Sequence, residues 1–207
     1  MALKDNTFET EEKREEAIEV IYKKTLTLER LIYDLFQLSK LETKQFSFDF
    51  MVIDGQDLAA TLIREHSLDL KNAGLKMVLN INKEALKGVS VIVDEARIEQ
   101  VFSNIIANAI RFSKKGGTIR IHFGVDSKKK HLVFSIRDYG QGIPAKDLPH
   151  IFDRFYRVDN GEQSAREDTS GLGMTIAKEI VEAHNGTITV ESRLHRGTTF
   201  TVCLPLY

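Results

Sequence analysis

Leu132-Val-Phe-Ser-Ile-Arg-Asp-Tyr-Gly-Gln-Gly142 is an apolar strand that runs directly into a carboxylate and two glycines. About thirty residues further on, Gly171-Leu-Gly173 opens an amphipathic helix that extends from Met174 to Ala183. Glycines at both places allow tight turns, and a helix start presents free backbone N–H groups to an anion. Together these features predict a binding cleft beside a sheet, covered by the long segment between them.

The composition is that of an ordinary globular protein. The chain has 207 residues, 42% of them hydrophobic and 29% charged, which suits one domain with an appendage. A formal net charge of −1 gives no support for nucleic-acid binding through a broad basic surface. The single cysteine, Cys203, excludes an intrachain disulfide and a cysteine-cluster zinc site, and fits a reducing compartment. No apolar run approaches the roughly 20 residues that span a bilayer, and no signal peptide is recognisable.

Residues 11–42 contain neither Gly nor Pro, and apolar side chains recur there at three- and four-residue steps. The recurring positions are Ala17, Ile21, Leu28, Leu31, Leu35 and Leu38, widened by Ile18, Ile32 and Phe36. This pattern predicts one long helix that needs partner helices, as in a bundle or a dimer. The alternative is a helix packed on its own domain. A change of composition at residues 42–46 divides the chain into a helical segment, 1–45, and a compact domain, 46–207.

The rest of the chain alternates between strand and helix patterns. Helices are predicted at 55–73, capped by Asp54 and ended by Gly74, at 95–112, capped by Asp94, and at 174–184. Strands are predicted at 46–52, 76–81, 89–93, 118–125, 131–137, 187–191 and 198–205, and a mostly irregular segment with one short helical piece at 143–170. This order predicts an α+β fold, a two-layer sandwich of a mixed, largely antiparallel sheet with helices on one face.

The helix at 95–112 carries a candidate metal and phosphate site. Asn104, Asn108 and Arg111 share one helix face, since they stand at positions i, i+4 and i+7. An amide oxygen is a hard ligand of the kind Mg²⁺ accepts, and an arginine can reach phosphate oxygens as a fork. The alternative interpretation is an ordinary polar helix face.

Asp138 is a candidate for recognising a purine. It follows an apolar strand, so its carboxylate needs hydrogen-bond donors, and the exocyclic amine of adenine supplies one where guanine has an acceptor. Gly140 and Gly142 would let the backbone pass close to a flat base. Gly171 and Gly173 would turn N–H groups toward phosphates. Each signal taken alone also fits a plain turn.

Taken in order, these motifs resemble the GHKL ATPase superfamily, specifically the catalytic and ATP-binding domain of sensor histidine kinases, with its Bergerat-type ATP-binding fold. The matching stretches are Asp94–Ser113, Ile136–Pro144, Ile151–Asp159, Ser170–Gly186 and Gly197–Phe200. Residues 11–42 resemble the second helix of the dimerisation and phosphotransfer hairpin. The resemblance covers nearly all of residues 46–205 and implies binding of ATP and Mg²⁺.

The resemblance also implies a role for individual residues. Asn108 would hold Mg²⁺, Asn104 would support the metal and phosphate end, and Arg111 would contact phosphates. Asp138 would bind the adenine amine with Thr199 nearby. Further nucleotide contacts would come from Phe112, Gly140, Gly142, Ile143, Gly171, Leu172 and Gly173. Phe152 and Phe155 would anchor the lid, and Arg154 or Arg157 would meet the γ-phosphate or the partner helix.

Two departures from the family pattern bear on the function. No histidine stands before an acidic residue and a proline, the context of the phosphoacceptor; the six are His66, His122, His131, His150, His184 and His195. Asp168-Thr169 occupies positions that relatives often fill with glycines. The chain is therefore expected to lack the acceptor histidine, and to be the cytoplasmic domain of a membrane-anchored protein.

The partners implied by the resemblance are a histidine-bearing hairpin of the same protein, a response regulator, and a second copy joined through the N-terminal helix. The function implied is that of a protein-histidine kinase, which positions Mg·ATP and transfers its γ-phosphoryl group to a histidine on a helical bundle. Two alternatives to this function remain open. One is an ATP hydrolase of the same superfamily, although Asn104 lacks the basicity to activate water. The other is a non-catalytic module that binds nucleotide and regulates a partner. The absence of Gly-x₄-Gly-Lys-Ser/Thr and Gly-x-Gly-x-x-Gly excludes P-loop and Rossmann sites.

Overall fold

A computed structural model describes residues 11–43, 45–126, 128, 130–158 and 170–207. The helices are α1 (Glu11–Glu42), α2 (Gly55–Asn72), α3 (Lys83–Leu86), α4 (Glu95–Phe112) and α5 (Gly173–Ala183), with a 3₁₀ turn at Leu148–His150. The strands are β1 (Met51–Asp54), β2 (Lys76–Ile81), β3 (Ser90–Val93), β4 (Thr118–Val125), β5 (His131–Arg137), β6 (Thr187–Arg193) and β7 (Gly197–Pro205). The predicted α+β class is confirmed.

The strands of the described residues form two sheets. Five strands lie in the order β2-β4-β5-β7-β6, and β1 pairs with β3 in a separate two-stranded sheet. Among the described strands of the larger sheet, β2 and β4 alone run parallel, and the other neighbours are antiparallel. The parallel pair and the short helix α3 were not predicted, and β6 extends two residues beyond its predicted end.

The core lies between the five-stranded sheet and helices α2, α4 and α5. Alternate residues of the central strands are buried, as expected for a sheet covered on one face. Phe123 and Phe134 are fully buried and stack with Phe102 of α4, with ring centroids 5.7 to 6.1 Å apart. This aromatic cluster fixes α4 against the sheet and so positions the helix face that carries Asn104 and Asn108.

Asp94 ties three parts of the domain together. Its Oδ1 accepts from the backbone N–H of Arg97, which caps α4 as predicted, and its Oδ2 accepts from the N–H of Asp49. Its own backbone N–H donates to Nε2 of His184, whose Nδ1 lies 2.7 Å from the carbonyl oxygen of Ile180. His184 therefore carries its proton on Nδ1, and burial lowers the pKa of its imidazole.

The prediction of a strand at 46–52 is wrong for residues 46–50. Only Met51–Asp54 forms a strand, because the N–H of Asp49 bonds to the Asp94 side chain instead of a neighbouring strand. The alternating phenylalanines pack by their rings: Phe48 lies 5.0 Å from Phe46 and 5.4 Å from Phe50, and both Phe48 and Phe50 contact His184 edge to face. Phe46 and Phe48 are half-buried but Phe50 is 45% exposed, so burial alternates over only part of the segment, and its ring contacts reach His184 at the end of α5.

The end of α1 packs on the domain, whereas most of its length does not. Leu38 and Leu41 are buried in the core, and Gln37 exchanges two amide hydrogen bonds of 2.7 and 2.8 Å with Gln100 of α4. The earlier part of the predicted stripe is exposed, as at Ile21 and Leu28. The domain division at residues 45 and 46 stays a prediction. Within the described residues, no helix combines the length and the apolar character needed to cross a membrane.

Candidate functional site

A cavity of about 380 Å³ lies between α1, α4, the turn after β5 and the start of α5. Its walls include ten of the predicted site residues, namely Asn104, Asn108, Arg111, Phe112, Asp138, Gly142, Ile143, Arg157, Gly171 and Gly173. Residues from four distant parts of the sequence therefore meet at one place. A cavity of this size is in the usual range for a small-molecule site.

Asp138 is held at one end of the cavity and is 5% exposed. Oδ1 accepts from the N–H groups of Gly140, at 2.8 Å, and Thr198, at 3.2 Å. Burial raises the pKa of Asp138, while these backbone donors and Arg137 act in the opposite direction. Both hydrogen bonds that described residues donate to this carboxylate end on Oδ1, so Oδ2 is the oxygen available to a ligand.

The glycines after Asp138 are required by neighbouring protein backbone. A Cβ on Gly140 would overlap the carbonyl oxygen of Phe112, and one on Gly142, where φ is +70°, would overlap the carbonyl oxygen of Arg193. Gly142 lines the cavity but Gly140 does not. The close approach that these glycines allow is to the end of α4 and to the β6–β7 turn, and their predicted approach to a base stays a prediction.

Thr198 lines the cavity where Thr199 was predicted. Side chains alternate along β7, which places Thr198 and Phe200 on the face toward the helices and Thr199 on the opposite face. Ser192 connects this strand to the glycine turn: its Oγ accepts from the N–H of Ile143 at 2.8 Å and lies 2.9 Å from Oγ1 of Thr198. Ser192 carried no signal in the sequence that marked it as part of the site.

Amide groups and a helix start form the other end of the cavity. Asn104 donates through Nδ2 to the carbonyl oxygen of Gly173 at 3.0 Å, which joins α4 to α5. Asn108, one turn further along, lines the cavity and makes no hydrogen bond to a described residue. The N-cap residue of α5, Leu172, provides no capping side chain, so the N–H groups of the first helical turn can meet an anion. Leu172 itself is fully buried in the core.

This end has the chemistry that a magnesium–phosphate group needs. The Asn108 amide offers an oxygen, and Arg111 lines the same wall with its guanidinium carbon 5.4 Å from the Phe112 ring centroid. The described residues contain no cluster of three or more His, Cys, Asp or Glu that could hold a metal. Mg²⁺ commonly takes only one or two protein ligands and completes its shell with phosphates and water, so the donor set fits.

The predicted lid residues separate into two groups. Phe152 packs edge to face on Phe200, with centroids 6.4 Å apart, as expected of an anchor. Phe155 does not pack in this way: it is 54% exposed with φ of +60°, and its backbone lies against Gly171. Arg154 forms an ion pair with Glu42 of α1, outside the cavity, whereas Arg157 lines it. Asp168-Thr169 lies outside the described residues.

Helix α1 contributes an unpredicted wall of the cavity. Thr27, Arg30, Leu31 and Asp34 line it from the N-terminal side. Asp34 is 8% exposed and accepts a hydrogen bond of 3.1 Å from Oγ of Ser170, whose Oγ in turn accepts from the N–H of Leu172. Burial raises the pKa of Asp34, while Ser170 and Arg30 lower it.

Residues 93–207 match the family described as histidine kinase-, DNA gyrase B-, and HSP90-like ATPase. Sensor histidine kinase WalK of Bacillus subtilis (strain 168) is 34% identical over 204 residues, covering 99% of this chain and 33% of that protein. Sensor protein kinase WalK of Staphylococcus aureus is 32% identical over 204 residues, covering 99% of this chain and 48% of that protein. The chain thus spans between a third and a half of these relatives.

Solved structures show the same architecture. Acinetobacter baumannii histidine kinase AdeS superposes with a TM-score of 0.73 at 25% identity, covering 99% of this chain and 89% of that one. Full-length ShkA in complex with AMPPNP superposes with a TM-score of 0.75 at 21% identity, covering 98% of this chain and 40% of that one. The second likeness concerns the fold alone.

Proposed function

The chain belongs to the histidine kinase-, DNA gyrase B- and HSP90-like ATPase family, and from that premise we propose that it is the ATP-binding catalytic domain of a sensor histidine kinase. In this role it holds Mg·ATP and delivers the γ-phosphoryl group to a histidine on a helical bundle. The observation that carries the proposal is the single cavity that joins Asp138 at one end to Asn108, Arg111 and the start of α5 at the other.

Asp138 supplies the base selectivity in this proposal. Two backbone donors fix Oδ1, so Oδ2 can accept from the exocyclic amine of adenine. Guanine presents an acceptor at the corresponding position and would leave a buried carboxylate oxygen facing another oxygen. Thr198 and Ser192 hold the turn in place, and Ile143 and Phe200 add apolar surface around the base.

The opposite end holds the phosphates and the metal ion. Asn108 provides an amide oxygen for Mg²⁺, and Asn104 keeps α4 and α5 in register through Gly173. Arg111, Arg157 and the uncapped N–H groups of α5 face the phosphate oxygens. Bound Mg²⁺ would neutralise charge that develops on the phosphoryl group. The chain's own share of the reaction is to position the phosphates and exclude competing geometries.

The chain's partners follow from the exposed face of α1 and from its relatives. Ile18, Ile21, Leu28, Ile32, Leu35 and Phe36 are all more than 40% exposed. This face suits a histidine-bearing hairpin of the same protein and a second copy in a homodimer. A response regulator would then receive the phosphoryl group. The chain spans 33% of the Bacillus subtilis relative, and the remainder of such a protein would anchor this cytoplasmic domain to the membrane.

Titration calorimetry tests the nucleotide site. The wild-type chain with Mg²⁺ should bind ATP and ADP and should bind GTP about 5- to 150-fold more weakly, since one unpaired buried polar group costs about 1–3 kcal/mol. Asn108→Ala should lower ATP affinity only when Mg²⁺ is present, and the matched control Asn72→Ala, on the exposed end of α2, should not. A wild-type chain that binds no adenine nucleotide would refute the proposal.

A further inference from the structure

Helix α1 is fixed where it can affect the nucleotide. Leu38 and Leu41 are buried in the core, and the paired amides of Gln37 and Gln100 hold α1 against α4. An ion pair between Glu42 and Arg154 links the end of α1 to the segment that carries Arg157, which lines the cavity. These contacts place the C-terminal part of α1 beside the cavity, so that Asp34 and its neighbours form one of the cavity walls.

Asp34 places a carboxylate at the phosphate end of that cavity. It bonds to Ser170, which immediately precedes Gly171 and the start of α5. Asn104 and Arg111, on the facing helix, line the same cavity. Ser170 Oγ is occupied twice, by Asp34 and by the N–H of Leu172, at the point where a phosphate oxygen would need a donor.

An ionised carboxylate in this position repels an anionic ligand more strongly as the number of phosphates increases. The repulsion is strengthened by the low exposure of Asp34, because buried charges are poorly screened. Arg30 on the same helix offsets part of it and also stabilises the ionised form of Asp34. Adenosine has no phosphate, so its affinity for the cavity would not depend on the charge of Asp34.

We propose that Asp34 is a specificity-determining residue that sets the selectivity of the cavity for the number of phosphates on the nucleotide. With α1 docked, the site favours adenosine and ADP relative to ATP, and full occupation by ATP requires the hydrogen bond between Asp34 and Ser170 to break. This inference rests on the proposed nucleotide site. It makes α1 a participant in nucleotide choice in addition to a surface for other helices.

The test is titration calorimetry of the complete chain with adenosine, ADP and ATP at one magnesium concentration and one ionic strength. Asp34→Asn keeps the shape of the side chain and an oxygen for Ser170 but removes the charge. It should tighten ATP binding about ten-fold, equivalent to about 1.4 kcal/mol, and ADP binding less. Adenosine affinity should stay within about two-fold.

Glu29→Gln is the matched control, because it removes the same charge from an exposed position of α1 that does not line the cavity. It should leave all three affinities unchanged. The inference is overturned if Asp34→Asn leaves ATP affinity unchanged, or tightens adenosine and ATP equally. Weaker ATP binding by this variant, the result expected of a magnesium ligand, overturns it as well. If the wild-type chain binds none of the three ligands, the nucleotide site itself is refuted.

Discussion

Replacing Asp138 by asparagine should change the preference of the cavity from adenine to guanine. Oδ1 accepts two backbone N–H groups, at 2.8 and 3.2 Å. In Asp138→Asn the amide oxygen must take that position, because an NH₂ group there would face two donors. The NH₂ group then occupies the place of Oδ2 and points a donor at the donating amine of adenine. The same NH₂ group can donate to the oxygen of guanine.

The size of the change in affinity follows from the hydrogen bond that is lost. A hydrogen bond to a charged group contributes about 1.5–3 kcal/mol, so ATP affinity should fall about 10- to 150-fold. GTP gains a neutral hydrogen bond and loses the repulsion between oxygens, so its affinity should rise. Together the changes should lower the ratio of ATP to GTP affinity by at least about 100-fold.

Titration calorimetry with ATP and GTP on both proteins measures this ratio. Asp57→Asn is the control, since it makes the same substitution at an exposed position of α2. Equal affinities of the wild-type chain for ATP and GTP would refute the role of Asp138. A variant that loses ATP and GTP affinity to the same extent would show that Asp138 only supports the fold.

Three further predictions concern stability and assembly. Burial lowers the pKa of His184 in the folded protein. The neutral imidazole therefore contributes to stability above the ordinary pKa near 6.5, and this contribution is lost as pH falls from that value toward the lowered pKa. Urea unfolding should show a loss of at most about 1.4 kcal/mol per pH unit in this window, and His184→Gln should not show it. Asp94→Ala removes a helix cap and a second acceptor, and should cost about 2–4 kcal/mol in thermal or urea unfolding. The half-buried cap Asp54, which accepts only within its own helix start, should cost about 1 kcal/mol when replaced by Ala; equal losses would contradict the bridging role of Asp94. The chain should self-associate through α1 in sedimentation, and a version starting at Gln45 should not; identical monomeric behaviour of the two would argue against the bundle.

Much of the fold could be predicted because its signals are local. Asp54 and Asp94 mark helix starts by accepting N–H groups of the next turn, and Gly74 ends α2 with φ of +68°. The parallel pairing of β2 with β4 could not be predicted in this way, because it joins strands separated by β3 and α4. The error at 46–50 has the same origin, since the side-chain alternation there reflects packing on helices.

In the candidate site as well, residues in local motifs could be predicted, whereas contacts between residues far apart in the sequence could not. Asn104, Asn108, Arg111 and Asp138 stand in recognisable motifs, and the structure brings all four to one cavity. The alternation along β7, with Phe200 toward the core, could have indicated Thr198 instead of Thr199. The contact of Asp34 with Ser170 could not be inferred, because it joins residues 136 positions apart and α1 carried the pattern of a bundle helix.

Transfer of label from γ-labelled ATP tests the central claim most directly. The chain should be incubated with and without the histidine-bearing hairpin of the same protein, and with a hairpin in which that histidine is replaced. The account predicts acid-labile label on the intact hairpin only, strongly reduced by Asn108→Ala, and none on the chain alone. Label on the chain alone, or release of inorganic phosphate with no label on the hairpin, would contradict it, and the second result would favour an ATP hydrolase.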